Sequence, residues 1–216
     1  MRFCRVGARC PVLAMKAMAG ARFSERWKDY ANDDGGVRVC RLVNARGERR
    51  TLNEERYKRW TQPFRQEPKM LAVLLMGNKL ETYLFYVMYP LLLVLELVFC
   101  SPLLLKSFLV PAIAFALVTL MRRVLNQPRP YEELCIQPLI AKDTKGKSFP
   151  SRHVFSCYMI AMAWLPFNTA VGVVLLLLGL DMMFIRVVGG VHYPQDVLAG
   201  ALCGILAGII GFYAIP

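Results

Sequence analysis

Long apolar runs separated by short polar segments dominate the chain after residue 80. The runs carry few or no charged residues and cover Thr82–Val98, Phe108–Met121, Val154–Phe167, Thr169–Leu180 with its continuation to Val188, and Val197–Ile215. A helix that crosses a bilayer needs about 20 mostly apolar residues. This pattern therefore predicts an all-α, multi-span transmembrane helical bundle of about five spans, with the lipid bilayer as a partner.

The polar residues before the first run divide into two parts. From Asn53, the segment "NEERYKRWTQPFRQEPK" is charged and contains aromatic residues, which is typical of an interfacial helix with Tyr57 and Trp60 at headgroup depth. Residues 1–52 are polar and basic without sustained periodicity, so they are expected to form a disordered N-terminal segment. Residues 53–216 are then expected to form one membrane-embedded domain.

The positive charge of the chain is concentrated near its start. Residues 1–70 hold 17 Lys and Arg against 8 Asp and Glu, so nine of the twelve net positive charges lie there. A basic arm can bind nucleic acid, but neither zinc-ligand spacing nor a nucleic-acid module accompanies it. Contact with anionic lipid is the favoured interpretation, and no nucleic-acid partner is expected. The seven scattered cysteines and two histidines also predict no metal site.

The short turn "LPFN" (Leu165–Asn168) joins the third and fourth runs. Those two runs are therefore expected to cross the membrane and return. The polar loops 122–152 and 186–196 must then emerge on the same membrane face, which brings both histidines to one side. Asp181 lies inside the fourth run and, because a charge in lipid is costly, it is expected to face the bundle interior and to pair with a cation or polar group.

Three segments on that face could form one phosphate site. They are "RRVLNQPRP", "PSRH" and "RVVGGVHYPQD", and their candidate residues are Arg122, Arg129, Ser151, Arg152, His153, Arg186, His192 and Asp196. Arginine matches phosphate oxygens with paired donors, and a helix start favours anions. Each residue also has a structural alternative: Arg122 could reach for headgroups, Ser151 could only cap a helix, and Asp196 could only complement its dipole.

The two histidines suggest catalysis rather than binding alone. Pro194 fits the first turn of a helix, which places His192 just before that helix and Asp196 in its first turn. Asp196 can then fix the tautomer of His192 and leave the other ring nitrogen free to attack. His153 is the candidate acid for the leaving oxygen. The alternative is a non-catalytic membrane protein that binds phosphate headgroups through its basic loop, which would need only the arginines.

The three segments resemble the signature of the type 2 phosphatidic acid phosphatase family, which shares its site with vanadium haloperoxidases. The family pattern is K-x6-R-P, then P-S-G-H, then S-R-x5-H-x3-D. This chain has Arg122-x6-Arg129-Pro130, Pro150-Ser151-Arg152-His153 and Ile185-Arg186-x5-His192-x3-Asp196. It departs from the pattern in three places: Arg122 replaces lysine, Arg152 replaces glycine, and Ile185 replaces serine.

The resemblance implies hydrolysis of a phosphate ester or anhydride through a phosphohistidine intermediate, without metal or other cofactor. It implies that His192 is the nucleophile, Asp196 its orienting partner and His153 the leaving-group acid. The phosphate pocket would be formed by Arg122, Arg129, Ser151, Arg152 and Arg186. Expected substrates are phosphatidic acid, phosphatidylglycerol phosphate or polyprenyl pyrophosphate. A haloperoxidase-like enzyme is disfavoured by the multiple spans.

Two arguments disagree about the membrane side of the site. With five spans, the site loops share a side with the basic N-terminal segment, and the positive-inside rule would place both in the cytoplasm. The family resemblance implies an extracytoplasmic site in a multi-pass protein of the cell membrane. The loop arginines are explained by phosphate binding, which weakens them as evidence for topology, so an extracytoplasmic site is expected.

Overall fold

A computed structural model describes residues 27–31, 37–41, 54–134, 136–142 and 144–214. Two short antiparallel strands, β1 (Trp27–Ala31) and β2 (Val37–Arg41), pair with Trp27 opposite Arg41. The sequence pattern did not predict these strands. The remainder of the expected disordered segment lies outside the described residues.

From residue 54 to residue 214, all regular secondary structure in the described residues is helical. Its elements are α1 (Glu54–Gln66), α2 (Pro68–Val98), α3 (Leu104–Leu125), α4 (Pro130–Glu133), α5 (Arg152–Phe167), α6 (Thr169–Val188), α7 (Pro194–Ile209) and a π-helical turn, Ile210–Ala214. The stretches Pro68–Val98, Leu104–Glu133, Thr169–Val188 and Pro194–Ala214 are long and apolar enough to cross a membrane. The predicted helical transmembrane fold is thereby confirmed. The predicted third span is α5, which has only 16 residues.

Local sequence explains where the helices start and stop. Pro68 and Pro194 lie in the first turns of α2 and α7, where proline loses no helical hydrogen bond. Asn126 ends α3 in the left-handed conformation, with φ 37°. Asn168 ends α5, and its side chain accepts a 3.2 Å hydrogen bond from the Val171 N–H at the start of α6. This cap produces the tight hairpin that the sequence predicts.

Helix α5 lies at the centre of the bundle and packs closely against α6 and α7. Its buried residues include Val154, Phe155, Met159 and Trp164. Small residues make this approach possible: a Cβ on Gly204 would lie 2.9 Å from the backbone oxygen of Phe155. By contrast, α2, α3, α6 and α7 expose many large apolar side chains, as expected for surfaces that face lipid.

The acidic residues of the bundle are not placed as the sequence predicted. Asp181 is exposed on α6, so the prediction that it faces the interior is wrong, although it does pair with a polar group, the side chain of Glu81. Apart from Asp196 at the start of α7, the buried acids among the described residues are Glu81 and Glu96 of α2, which are 5% and 0% exposed. Helical periodicity explains the difference, because the more apolar neighbour Met182 occupies the inward position at 1% exposure.

Helix α1 lies at the same end of the bundle as the polar loops. The Tyr57 hydroxyl donates a 3.2 Å hydrogen bond to the Gln137 carbonyl, and Arg65 donates to the same oxygen. Gly190 adopts φ +74°, and a Cβ there would lie 2.4 Å from the Tyr57 oxygen. These contacts place α1 beside both polar loops, so the start of the membrane domain and the candidate site share one face.

Candidate active site

Asp196 connects His192 to a serine that sequence reasoning missed. Its Oδ2 accepts a 2.5 Å hydrogen bond from Ser148 Oγ and a 3.1 Å bond from the Tyr193 N–H. The same oxygen lies 3.5 Å from His192 Nδ1, and Ser148 Oγ lies 3.4 Å from that nitrogen. Ser148, His192 and Asp196 are all buried. Ser148 precedes the "PSRH" segment, and no spacing rule identifies it from the sequence.

The surroundings of His192 keep its imidazole neutral. The pKa of His192 is lowered from 6.5 to about 4, mainly by burial and also by the nearby charges of Arg129 and Arg122. The hydrogen bond and negative charge of Asp196 oppose this shift. At neutral pH the ring therefore carries one proton, and a proton on Nδ1 faces Asp196 and Ser148. This tautomer leaves the Nε2 lone pair available for attack.

Arg122 organises the loop that leads into α5. Its guanidinium donates to the carbonyl oxygens of Lys147, Ser148 and Pro150, the bond to Ser148 being 3.2 Å long. Arg122 is 5% exposed despite its place in the last turn of α3, so it does not reach outward to headgroups. The arginine fixes the segment that carries Ser148 and Ser151.

Arg129 connects the two polar loops. Its Nε donates to the Gly146 carbonyl and its Nη1 to the Val191 carbonyl, each at 3.2 Å. Glu132 supports the arrangement by accepting hydrogen bonds from the Arg129 and Gly146 N–H groups, at 2.7 Å and 2.9 Å. Arg129 thereby fixes the loop before "PSRH" relative to the loop that carries His192.

Arg186 is buried at the end of α6, next to His192. Its Nε donates to Met182 Sδ at 3.4 Å, and its carbonyl accepts from the His192 N–H at 3.3 Å. Unlike those of Arg122 and Arg129, its guanidinium makes no hydrogen bond to a backbone carbonyl within the described part of the chain. Arg186 is therefore the buried arginine with the most donors left for an anion.

Ser151 occupies the residue before α5 but does not cap the helix. Its backbone N–H donates to the Asp196 carbonyl at 2.8 Å, which joins the starts of α5 and α7. Its Oγ is buried and has no hydrogen-bond partner among the described residues. The alternative interpretation, in which this side chain only caps α5, is therefore wrong. A buried hydroxyl that lacks a hydrogen-bond partner and lies beside arginines is suited to bind an anionic ligand.

Lys142 is a further cation that sequence reasoning did not assign to the site. The pKa of Lys142 is lowered to about 8, mainly by burial and also by the positive charges of Arg129, Arg186, Arg122 and Arg152. The lysine thus lies within electrostatic reach of the whole arginine group. Its position in the loop before "PSRH" gave no sign of this, because the path of an irregular loop does not follow from sequence spacing.

A cavity of about 520 Å³ opens beside the polar centre, between α2, α3 and α5. It is lined mainly by apolar and aromatic residues, among them Phe85, Tyr89, Phe108, Phe115 and Ile160. Arg152 and His153 also line it, and the Arg152 guanidinium lies 5.8 Å from the centroid of the Phe115 ring. These two residues therefore lie where the polar centre meets the apolar cavity, whereas Arg122, Arg129 and Arg186 are buried.

The fold and site define a multi-pass membrane protein with a cationic, histidine-containing centre at one end of a helical bundle. The chain belongs to the PAP2 superfamily, whose family model matches residues 103–216, more than half of the chain. This assignment confirms the family resemblance found in the sequence motifs.

Two curated Bacillus proteins are similar to part of the chain. The "Bacitracin transport permease protein BcrC" of Bacillus licheniformis is 38% identical over 69 residues, which cover 32% of this chain and 34% of that protein. The "Undecaprenyl-diphosphatase BcrC" of Bacillus subtilis strain 168 is 34% identical over 93 residues, covering 43% and 48%. The chain thus spans about a third and about half of these relatives.

Two solved structures are similar over most of the chain. Aquifex aeolicus LpxE gives a TM-score of 0.59 at 27% identity, covering 74% of this chain and 94% of that one. The transmembrane PAP2 type phosphatidylglycerolphosphate phosphatase of Bacillus subtilis gives 0.52 at 21% identity, covering 73% and 83%. The second similarity shows the fold alone.

Proposed function

We propose that this protein is an integral membrane phosphatase that hydrolyses a lipid phosphate or diphosphate through a phosphohistidine on His192. The observation that carries this proposal is the placement of His192, whose Nδ1 faces Asp196 and Ser148 close to the buried arginines, with His153 and Arg152 lining an apolar cavity beside this centre. The arginines alone would suffice for binding. An oriented, neutral imidazole is what nucleophilic attack requires.

In the first step, His192 Nε2 attacks the phosphorus, and a nitrogen–phosphorus bond forms as the bond to the leaving oxygen breaks. Arg186 and Ser151 bind the equatorial oxygens, where negative charge develops. His153, which lines the cavity on the leaving-group side, is protonated in the substrate complex because the negative charge of the bound phosphate favours the imidazolium, and it gives that proton to the leaving oxygen. In the second step, His153 takes a proton from water as the water oxygen attacks phosphorus. The nitrogen–phosphorus bond breaks, its electron pair returns to Nε2, and phosphate and neutral His192 are released.

The apolar cavity supports a lipid substrate. A water-soluble phosphate ester has little apolar surface to bury against aromatic and aliphatic side chains, whereas an isoprenoid or acyl chain buries apolar surface there. Among the expected substrates, we favour a polyprenyl diphosphate. The support is the sequence similarity to a protein described as undecaprenyl-diphosphatase. Phosphatidic acid and phosphatidylglycerol phosphate are the comparison substrates.

We further propose that the site faces the extracytoplasmic side of the cell membrane. The support is the family resemblance alone. The charge distribution favours the opposite side, because α1 and the site share a face and the basic N-terminal segment would lie in the cytoplasm by the positive-inside rule. Single cysteines placed at Lys145 and, as the opposite-face control, at Thr169 can be treated with a membrane-impermeant thiol reagent in intact cells. Labelling at 145 but not at 169 supports the proposal, and the reverse pattern places the site in the cytoplasm.

Phosphate release by the purified protein in chelator, from each of the three lipids, tests the phosphatase proposal. We expect release without added metal, loss of nearly all of it in His192→Ala, and a strong loss in Asp196→Asn. Glu55→Gln removes an exposed acid of α1 and is the control, which should retain activity. Unchanged release in His192→Ala would refute the nucleophile assignment. No release by the unmodified protein, with retained lipid binding, would favour the non-catalytic alternative.

The intermediate can be trapped directly. With a lipid substrate labelled in its terminal phosphate, rapid quenching in base should leave label on the protein, because phosphohistidine withstands base and is lost in acid. We expect label in His153→Gln, where breakdown of the intermediate is slowed, and none in His192→Ala. Absence of label from both variants, with normal turnover in the parent, would indicate direct attack by water.

A further inference from the structure

A second cationic group lies on the leaving-group side of the proposed phosphatase site. Arg152 and Lys142 interact electrostatically with each other and with Arg122 and Arg129. Neither residue is part of the buried arginine group: Arg152 is exposed and Lys142 is half-buried. The site therefore holds more positive charge than the three buried arginines supply, and the excess lies toward one side.

The position of Arg152 identifies that side. Arg152 lines the apolar cavity together with His153, and its guanidinium packs over the Phe115 ring on α3. Stacking on an aromatic face restricts a long side chain that would otherwise sample many conformations. Lys142 lies two residues after Ile140, whose N–H donates a 3.3 Å hydrogen bond to the Gly189 carbonyl in the loop that carries His192. The charges of Lys142 and Arg152 both act on His153, so both cations lie within electrostatic reach of the group that protonates the leaving oxygen.

We propose that Arg152 and Lys142 form a second anion subsite, which binds the inner phosphate of a lipid diphosphate whose terminal phosphate is attacked by His192. This inference rests on the proposed function and names the substrate class for the same site. The groups of the site follow the same order as the groups of such a substrate. The terminal phosphate lies at Arg186 and His192, the inner phosphate at Arg152 and Lys142, and the hydrocarbon chain in the apolar cavity. A lipid monophosphate has no group for the middle position.

The chemistry gives Arg152 a role in the first step. Attack by His192 forms a nitrogen–phosphorus bond and breaks the bond from the terminal phosphorus to the bridging oxygen. The electron pair of that bond stays on the bridging oxygen, so the departing lipid monophosphate gains a negative charge unless His153 protonates it. A guanidinium beside this oxygen stabilises the developing charge. Arg152 is therefore a specificity-determining residue for a diphosphate.

Chain-matched substrates test this proposal. Farnesyl diphosphate and farnesyl monophosphate share one hydrocarbon chain, so the ratio of their kcat/KM values reports the second phosphate. We expect Arg152→Gln to lower kcat/KM for the diphosphate about 10- to 100-fold, the usual effect of one charge-assisted hydrogen bond. The value for the monophosphate should change by less than about threefold. Lys142→Gln should act in the same direction, and Arg152→Lys should recover part of the loss.

Arg123→Gln is the matched control. It removes the same charge from the end of α3, where Arg123 is exposed and next in sequence to Arg122, and it should leave both kcat/KM values within about twofold because exposed charges are screened. Melting temperatures in detergent check that each variant is folded. Equal losses on both substrates in Arg152→Gln, or no loss on either, would overturn the second subsite.

Failure of the proposed function gives a different result. If the unmodified protein cleaves neither substrate, the phosphatase proposal fails, and binding of inorganic pyrophosphate against inorganic phosphate still measures the subsite. Tighter binding of pyrophosphate that weakens in Arg152→Gln but not in Arg123→Gln would retain the anion subsite in a binding protein. Equal binding of the two anions, or pyrophosphate binding that Arg152→Gln leaves unchanged, would exclude it.

Discussion

Ser148 donates a 2.5 Å hydrogen bond to the carboxylate of Asp196, and both side chains are fully buried. A buried carboxylate needs donors to remain charged, and this charge holds the Nδ1 proton of His192. We therefore expect Ser148→Ala to lower kcat about 10- to 100-fold with little change in KM, by analogy with other charge-assisted hydrogen bonds. Phosphate release at several substrate concentrations separates the two parameters.

Ser107→Ala is a closely matched control for Ser148→Ala. Ser107 is also fully buried and donates a 2.8 Å hydrogen bond to a buried carboxylate, that of Glu96, but it lies between α2 and α3 away from the site. We expect this change to lower the melting temperature without lowering kcat. If both serine variants lost activity equally, the contribution of Ser148 would be to stability rather than to the orientation of Asp196.

The depressed pKa of His192 predicts an unusual titration. His153 is the only other histidine, so in His153→Gln the ring signals of labelled histidine report His192 alone. We expect the ring to stay neutral down to a pH near 4 rather than 6.5, because burial and the nearby arginines disfavour its charged form. Nuclear magnetic resonance in detergent measures the midpoint. A midpoint near 6.5 would contradict the burial of this residue.

The same shift affects stability, with a definite sign. The unfolded chain binds a proton at His192 below pH 6.5, whereas the folded chain does so only below about 4. Between these values the unfolded state binds more protons, so the free energy of unfolding falls as the pH is lowered through this window. Asp196→Asn removes the negative charge that raises this pKa and weakens the hydrogen bond to the ring, so the midpoint should move still lower.

The contact between α5 and α7 predicts which glycines tolerate a methyl group. A Cβ on Gly200 would lie 2.6 Å from the Ser151 backbone oxygen, which cannot move without shifting the start of α5. We expect Gly200→Ala to lower both the melting temperature and kcat, because α7 carries Asp196 and α5 carries His153. Thermal unfolding and phosphate release check the two effects.

Gly77→Ala is the control for Gly200→Ala. Gly77 lies inside α2, and a Cβ there would meet only Ile185 Cδ1 at 3.5 Å, an ordinary contact. Since alanine favours a helix over glycine by about 1 kcal/mol, this variant should be as stable as the parent or more so, with unchanged kcat. If Gly200→Ala behaved like Gly77→Ala, the tight packing of α5 against α7 would not be needed for the site.

The sequence predicted the helices and the three motifs because both depend on local spacing. Apolar runs determine the spans, and the Asn168 hairpin alone requires that both polar loops share a face. Ser148 and Lys142 escaped this reasoning because their contacts depend on the path of the loop between α4 and α5. Arg122 and Arg129 fix that path by donating hydrogen bonds to backbone carbonyls. Because every residue has a backbone carbonyl, the residue types of the loop do not reveal these contacts.

Ser151 illustrates how a local rule can predict a position correctly and its role wrongly. A serine between proline and an apolar helix is a typical cap, and Ser151 does precede α5, yet its Oγ makes no hydrogen bond to the helix. The backbone N–H of the same residue is already used by the Asp196 carbonyl. The Ser151 hydroxyl therefore remains available to bind a ligand at the centre of the site.

Ser151→Ala should therefore separate activity from stability. The Ser151 hydroxyl is buried without a partner among the described residues, so removing it takes away a polar group that costs free energy to bury. We expect the melting temperature to stay the same or rise, while kcat/KM falls about tenfold because a phosphate oxygen loses one donor. Inorganic phosphate should raise the melting temperature less in Ser151→Ala than in the parent. A lower melting temperature with unchanged kcat/KM would instead identify Ser151 as a structural residue.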